Sequence, residues 1–171
     1  PIDGTKEYIQ KGQDYTINIA LCSQDRPVFS VVYAPSREEF YYAELGHGAF
    51  KNEKKIHSIG KIPNKIKIVS SKSHQNKKTL DFIELLKVSY DVECLEYGSS
   101  LKLCKVAEGK ALLYPRFSPT MEWDTCAAHL ILNEAGGAVV NENNIDLAYN
   151  KKNLYNPPFI AIAQKSFFDS L

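Results

Sequence analysis

Glu122-Trp123-Asp124-Thr125 places an aspartate where an apolar helical run begins, and Pro1-Ile2-Asp3-Gly4-Thr5 repeats the device at the start of the chain. Asp3 and Asp124 each offer a hard oxygen ligand of the kind magnesium prefers. Gly4 permits a sharp turn with its N–H open to an anion. Thr5 opens a helix whose first N–H groups favour phosphate. Singly, each segment reads more simply as an N-cap turn, which aspartate supplies routinely. On that plain reading Trp123 is a packing anchor. Together the two segments read as halves of one metal-and-phosphate site.

Between the two halves the pattern changes character once. Thr5 to Gln10 predicts a short helix stopped at Lys11-Gly12. Tyr15, Ile17, Ile19 and Leu21 alternate with smaller or polar residues, the period of a strand. Val28–Tyr33, Glu39–Leu45 and Ala49–Phe50 are further strands joined by short turns, an antiparallel meander. Residues 51–67 are lysine-rich with Gly60 and Pro63, and read as a solvated joint rather than a nucleic-acid patch. Beyond the joint, strands at 67–70, 92–95, 111–114, 138–141 and 159–163 alternate with helices at 76–87, 99–108 and 125–134. The first of these helices is expected to bury Leu80, Phe82, Ile83, Leu85 and Leu86. The last is expected to stop at Gly136-Gly137. This organisation predicts a remnant sheet domain over residues 1–60 and an α/β domain with helices on both sheet faces over 61–171.

The bulk numbers exclude more than they assert. The chain has 171 residues, 44% of them hydrophobic, and a net charge of +1, so bulk electrostatics gives no reason to invoke a nucleic acid polymer. No apolar run is long enough to cross a bilayer, and no basic-then-apolar leader opens the sequence. Cys22, Cys94, Cys104 and Cys126 form no C-x-x-C pair, and Cys104 and Cys126 read as buried free thiols rather than zinc ligands. His47, His57 and His129 read as structural or solvent-facing, because magnesium prefers oxygen.

An ordered series of segments completes the reading: Tyr42 to Phe50, Ser71-Lys72-Ser73-His74, Gly98-Ser99-Ser100-Leu101-Lys102, Val106 to Gly109, Leu113-Tyr114-Pro115-Arg116-Phe117, Glu122 to Thr125 and Glu134 to Gly137. The series resembles the inositol monophosphatase superfamily from Pro1 to about Gly137. Within that family, Pro1-Ile2-Asp3-Gly4-Thr5-Lys6-Glu7 is similar to the signature of the bacterial 3'(2'),5'-bisphosphate nucleotidase branch. The resemblance implies an α/β, layered α-β-α-β-α sandwich, here truncated at its N-terminus with an α+β remnant. It implies Mg2+ as cofactor, with Asp3, Asp124 and the Ile2 carbonyl as metal ligands. Gly4 and Thr5 contact the scissile phosphate, and the Thr5 hydroxyl orients the attacking water. Ser99, Lys102, Arg116 and His74 match positions around the nucleotide, where a lysine suits a second, non-reacting phosphate. Taken alone, Lys102 reads as a solvated helix residue, Arg116 as a surface ion pair and His74 as a helix-entry residue.

Departures from the family pattern are named too. Ala128 and Ser118 stand where glycine is usual. The family's first signature aspartate would directly precede Pro1, and its upstream acidic pair is also absent, so these residues carry about half the metal cage. The implied reaction is removal of the 3'-phosphate from adenosine 3',5'-bisphosphate, or its sulfated relative, to give AMP, with lithium inhibition and a cytoplasmic setting, peripheral contact with the inner membrane left open. The 171 residues alone are expected to hydrolyse little. Alternatives are an inositol or fructose bisphosphate phosphatase, or a non-catalytic module. A missing first helix layer also predicts an exposed apolar sheet face and self-association through it.

Overall fold

The alternation at Ile17, Ile19 and Leu21 does build a strand, but with those side chains pointing outward. The computed structural model describes residues 2–71 and 76–170, so His74 lies outside the described residues. Strand β1 (Ile2–Asp3) pairs antiparallel with β2 (Thr16–Ser23), placing Asp3 opposite Thr16, and helix α1 (Thr5–Ile9) fills the connection. Strands β3 (Arg26–Ala34), β4 (Glu39–Glu44), β5 (Gly48–Lys51) and β6 (Lys54–Ile56) follow in order to complete a six-stranded meander. One face buries Thr16, Ser30, Val32, Tyr41, Ala43 and Ala49. The other leaves Ile17, Ile19, Leu21, Phe29 and Phe40 between 39% and 61% exposed.

The second sheet begins with β7 (Lys65–Ser71), then α2 (Lys77–Lys87), β8 (Asp91–Tyr97), α3 (Leu101–Ala107) and β9 (Leu113–Arg116). A short β10 (Thr120–Met121) leads into α4 (Glu122–Glu134), followed by β11 (Ala138–Asn141), β12 (Tyr155–Asn156) and β13 (Phe159–Ile162). Strand order is β11-β13-β9-β7-β8, with β7 parallel to β8 and β9, and the other pairs antiparallel. The β7-α2-β8 crossover moves to one side and β8-α3-β9 moves back. With the usual right-handed connection, the two helices therefore lie on opposite faces. Helix α3 packs with α4, and α4 packs against β2, β3, β4 and β5. The described layers are thus sheet, helix pair, sheet, helix.

Several expectations need correcting. Leu80 and Leu85 are 45% and 62% exposed; α2 covers only the outer face near β8, so its buried stripe narrows to Thr79, Ile83 and Leu86. The lysine-rich joint contributes real structure, since Lys54–Ile56 forms β6 and Lys65 opens β7. Lys51 is no solvated lysine: its Nζ donates to Glu39 and Glu108, both at 2.7 Å. Fully buried Lys105 donates to the same Glu39 at 2.7 Å, tying α3 to β4. These bonds outweigh burial and hold the Glu39 carboxyl down at about 2. At the far end of α4, both Glu134 carboxylate oxygens accept the Gly46 and Gly48 N–H groups, at 2.9 and 2.8 Å.

All four cysteines are free thiols, with Cys104 and Cys126 buried. Among the described residues no helix is long and apolar enough to cross a membrane.

Candidate active site

The site is assembled from three turns that the fold brings to one cavity of about 240 Å³. The first is Asp3-Gly4-Thr5. Gly4 adopts φ +80°, and a Cβ there would sit 2.9 Å from the Asp14 carbonyl oxygen. Only glycine meets both conditions without strain. Thr5 Oγ1 donates to the Ile2 carbonyl at 3.2 Å, closing the turn on itself.

The second turn enters α4. The helix begins at Glu122 rather than Thr125, so Asp124 is its third residue and not its N-cap. Asp124 Oδ2 accepts the Met121 N–H at 2.8 Å, reaching back across the first turn. Glu122 is held away from the cavity by the Asn150 and Lys151 N–H groups, at 2.9 and 3.1 Å. Trp123 is no packing anchor: it is 59% exposed and borders an adjoining cavity of about 540 Å³. That cavity shares Asp3, Gly4, Thr5 and Asp124 with the first. Thr125 sits just inside, receiving Asn156 Nδ2–H at 3.0 Å.

The third turn, Gly98 to Lys102, enters α3. The Ser100 N–H donates to Asp3 Oδ2 at 2.8 Å, and Ser100 Oγ donates to Asn18 Oδ1 at 2.7 Å. Lys102 is buried, contrary to the solvated reading. Its Nζ donates to the Ser99 carbonyl at 2.6 Å and lies 5.5 Å from the Tyr114 ring centroid. Desolvation brings its ammonium down to about 8, despite the attraction of Asp3. Arg116, on β9, faces the same cavity.

Two features favour anions here. Ser99 Oγ and Arg116 Nε are buried without a hydrogen-bond partner among the described residues, an expense that an incoming phosphate or water would remove. Two features favour cations. Asp3 and Asp124 line both cavities, and burial pushes the Asp3 carboxyl above its ordinary value; Lys102 opposes that rise and Asp124 reinforces it. Each carboxylate spends one oxygen on a backbone N–H and keeps acceptor capacity on the other. This donor set fits a hard divalent cation, with the Ile2 carbonyl adjacent. It is a partial set, because the described residues contain no group of three or more acidic, histidine or cysteine side chains placed to hold a metal.

Asp3, Gly4, Thr5, Ser99, Lys102, Arg116 and Asp124 therefore converge, with Ile2 at the edge. His74 lies outside the described residues. Glu7, Asp14 and Tyr114 were not singled out from the sequence, although Glu7 and Tyr114 line the cavity and Asp14 lies behind it. Glu7 and Tyr114 do lie within the quoted segments Pro1 to Glu7 and Leu113 to Phe117, whereas no motif marks Asp14.

Comparison with known proteins identifies the family. The family model for the inositol monophosphatase family matches residues 1–165. The 3'(2'),5'-bisphosphate nucleotidase CysQ of Salmonella typhimurium is 41% identical over 164 residues, covering 93% of this chain and 64% of the relative. The protein of the same name from Escherichia coli K12 is 38% identical over the same share of each. Among solved structures, CysQ from Bacteroides thetaiotaomicron, described as a bacterial member of the inositol monophosphatase family, superposes with TM-score 0.89 at 39% identity, covering 96% of this chain and 68% of that one. The chain thus spans just under two thirds of the length of the curated relatives it matches.

Proposed function

The chain belongs to the inositol monophosphatase family, and from that premise we propose that the protein is a magnesium-dependent 3'(2'),5'-bisphosphate nucleotidase, releasing the 3'-phosphate of adenosine 3',5'-bisphosphate. The observation that supports the branch is a basic group in the same cavity as the carboxylates. Buried Lys102, and Ser99 Oγ and Arg116 Nε, which have no hydrogen-bond partner among the described residues, share a cavity with Asp3 and Asp124. A substrate with one phosphate needs only the Asp3-Gly4-Thr5 turn; one with two engages both ends.

Asp3, Asp124 and the Ile2 carbonyl would hold the metal, which when bound supplies Lewis-acid stabilisation at the phosphoryl oxygens. The remaining work falls to the chain itself. Gly4 and the first N–H groups of α1 bind the scissile phosphate. The Thr5 hydroxyl, which donates to the Ile2 carbonyl in this structure, would orient a water beside that phosphate. Lys102 and Arg116 bind the second phosphate and fix which ester faces the carboxylates, Arg116 by its planar fork. Asp3 and Asp124 hold their orientation through the Ser100 and Met121 N–H groups. Free thiols at all four cysteines suit a reducing compartment, so a cytoplasmic setting belongs to the same proposal.

The deciding experiment is phosphate release from adenosine 3',5'-bisphosphate against inositol 1-phosphate, with magnesium, using the 171 residues and any longer native chain containing them. The longer chain is expected to prefer the nucleotide, and the 171 residues to hydrolyse little. Faster turnover of inositol 1-phosphate refutes the branch. Robust hydrolysis by the 171 residues refutes the need for further acidic groups.

A further inference from the structure

Two of the three turns close onto a single residue that belongs to neither. Asp14 is 1% exposed, between α1 and β2. Its carbonyl oxygen lies 2.9 Å from where a Cβ on Gly4 would sit and 2.8 Å from where a Cβ on Gly98 would sit. Its own Cβ is 2.7 Å from the latter point. The turn that presents the scissile phosphate and the turn that presents the second phosphate are both pressed against Asp14, with no room for a methyl group in either contact.

The side chain adds a directional hold. Asp14 Oδ2 accepts the Gly98 N–H at 3.1 Å, and Oδ1 accepts Arg37 Nε–H at 2.9 Å. Arg37 ends the short 3-10 turn Pro35–Arg37 and lies over the Tyr97 ring, 5.5 Å from its centroid. Tyr97 directly precedes Gly98, so Arg37 grips the third turn twice, once through Asp14 and once through Tyr97. A buried carboxylate behind an anion pocket disfavours phosphate by its charge alone. The Arg37 pair neutralises that charge while keeping its geometric use.

We infer that Asp14, clamped by Arg37, is a positioning residue that sets the distance between the two phosphate subsites and thereby selects a bisphosphate over a monophosphate. The inference rests on the nucleotidase reading above. The backbone of Asp14 meets Gly4, whereas its side chain holds the Gly98 N–H and Arg37. Changing the side chain therefore loosens the second subsite and leaves the first in place.

The test is calorimetric titration, with magnesium, of adenosine 3',5'-bisphosphate, AMP and inorganic phosphate into wild type, Asp14→Asn and Arg37→Gln. The Asp14→Asn variant keeps an acceptor oxygen for the Gly98 N–H but loses the charge that holds Arg37. Arg37→Gln, at a half-exposed turn, carries the test if Asp14→Asn fails to fold. Wild type is expected to favour the bisphosphate over AMP, and both variants to lose about tenfold of that ratio, the scale of a lost preorganised contact, with affinity for inorganic phosphate unchanged. A wild type that discriminates, with folded variants that discriminate equally, overturns the inference alone. A wild type that binds both nucleotides alike overturns the nucleotidase reading and this inference with it. Parallel loss of all three affinities also overturns the inference, because it marks general structural damage.

Discussion

Replacing Gly4 by alanine separates two effects that the site combines, with Gly46→Ala as the internal standard. Both residues sit at φ +80°, but nothing lies within 4 Å of a Cβ on Gly46, whereas one on Gly4 meets the Asp14 carbonyl oxygen at 2.9 Å and Tyr15 Cα at 3.3 Å. The left-handed conformation costs an alanine about 1–2 kcal/mol. A stiffer unfolded chain returns about 0.4–1 kcal/mol of that. Gly46→Ala should therefore destabilise by roughly 1 kcal/mol. Gly4→Ala carries the same cost plus an overpacking term of about 1–3 kcal/mol, because the obstacle is backbone and cannot rotate away. The expected total is about 2–4 kcal/mol. Urea unfolding of the three proteins at neutral pH reads the difference, and inorganic phosphate titration reads the damage to the turn. If Gly4→Ala is no more destabilising than Gly46→Ala and binds phosphate normally, Asp14 does not press on the turn and the steric reasoning fails.

Magnesium should raise the melting temperature of wild type, by a free energy of about 2.7 kcal/mol at a hundredfold excess over its dissociation constant; Asp3→Asn and Asp124→Asn should each abolish the shift in a thermal-shift assay, and an undiminished shift in both would remove the metal assignment. His129 is buried with Nδ1 2.8 Å from Tyr149 Oη, and desolvation lowers its ring to about 4. The unfolded chain therefore binds the extra proton between about pH 6.5 and about 4, so stability present above that window falls by up to about 3 kcal/mol as pH drops through it. His129→Gln should flatten that slope in urea unfolding at about pH 7 and about pH 5, and an identical slope in both proteins would contradict it. The exposed Ile17, Ile19 and Leu21 face should drive self-association that Ile19→Lys reduces, whereas light scattering from a clean wild-type monomer would rule it out.

The sequence disclosed the parts of this protein that depend on local rules. Asp3-Gly4-Thr5 was legible because a turn, a hard oxygen and a helix start are contiguous. The helices and most strands were legible because apolar periodicity is local. Trp123 was misread because size alone suggests burial, yet its place on the first turn of α4 points it along the cavity rim. Leu80 and Leu85 failed for a related reason: helical spacing identifies an apolar side but not how wide a neighbour covers it. Lys51 and Lys105 were invisible as an ion-pair cluster because their shared partner Glu39 is brought to them only by the fold. Asp14 had no signal at all, since its value comes from touching Gly4 on one side and Gly98 on the other.

The charge arrangement of the cavity suits the proposed substrate, which has two anionic ends. Burial penalises ionisation of Asp3 and the Asp124 charge adds to that penalty, so the Asp3 charge is sustained most readily with a cation beside it. At the other end Lys102 is so desolvated that its ammonium is held near 8, and Arg116 Nε is left without a partner among the described residues. On the proposed function, a single phosphate beside the carboxylates would leave Ser99 Oγ and Arg116 Nε without the partner they lack among the described residues, and one beside Lys102 would leave the reacting turn empty. On that proposal both needs are met together when one anion sits beside the Asp3-Gly4-Thr5 turn and another beside Lys102 and Arg116. A ribose bearing 5'- and 3'-phosphates has that form. On the proposed function the cationic group does two things at once: it strengthens binding, and it penalises any monoester that docks there without reaching the Asp3-Gly4-Thr5 turn.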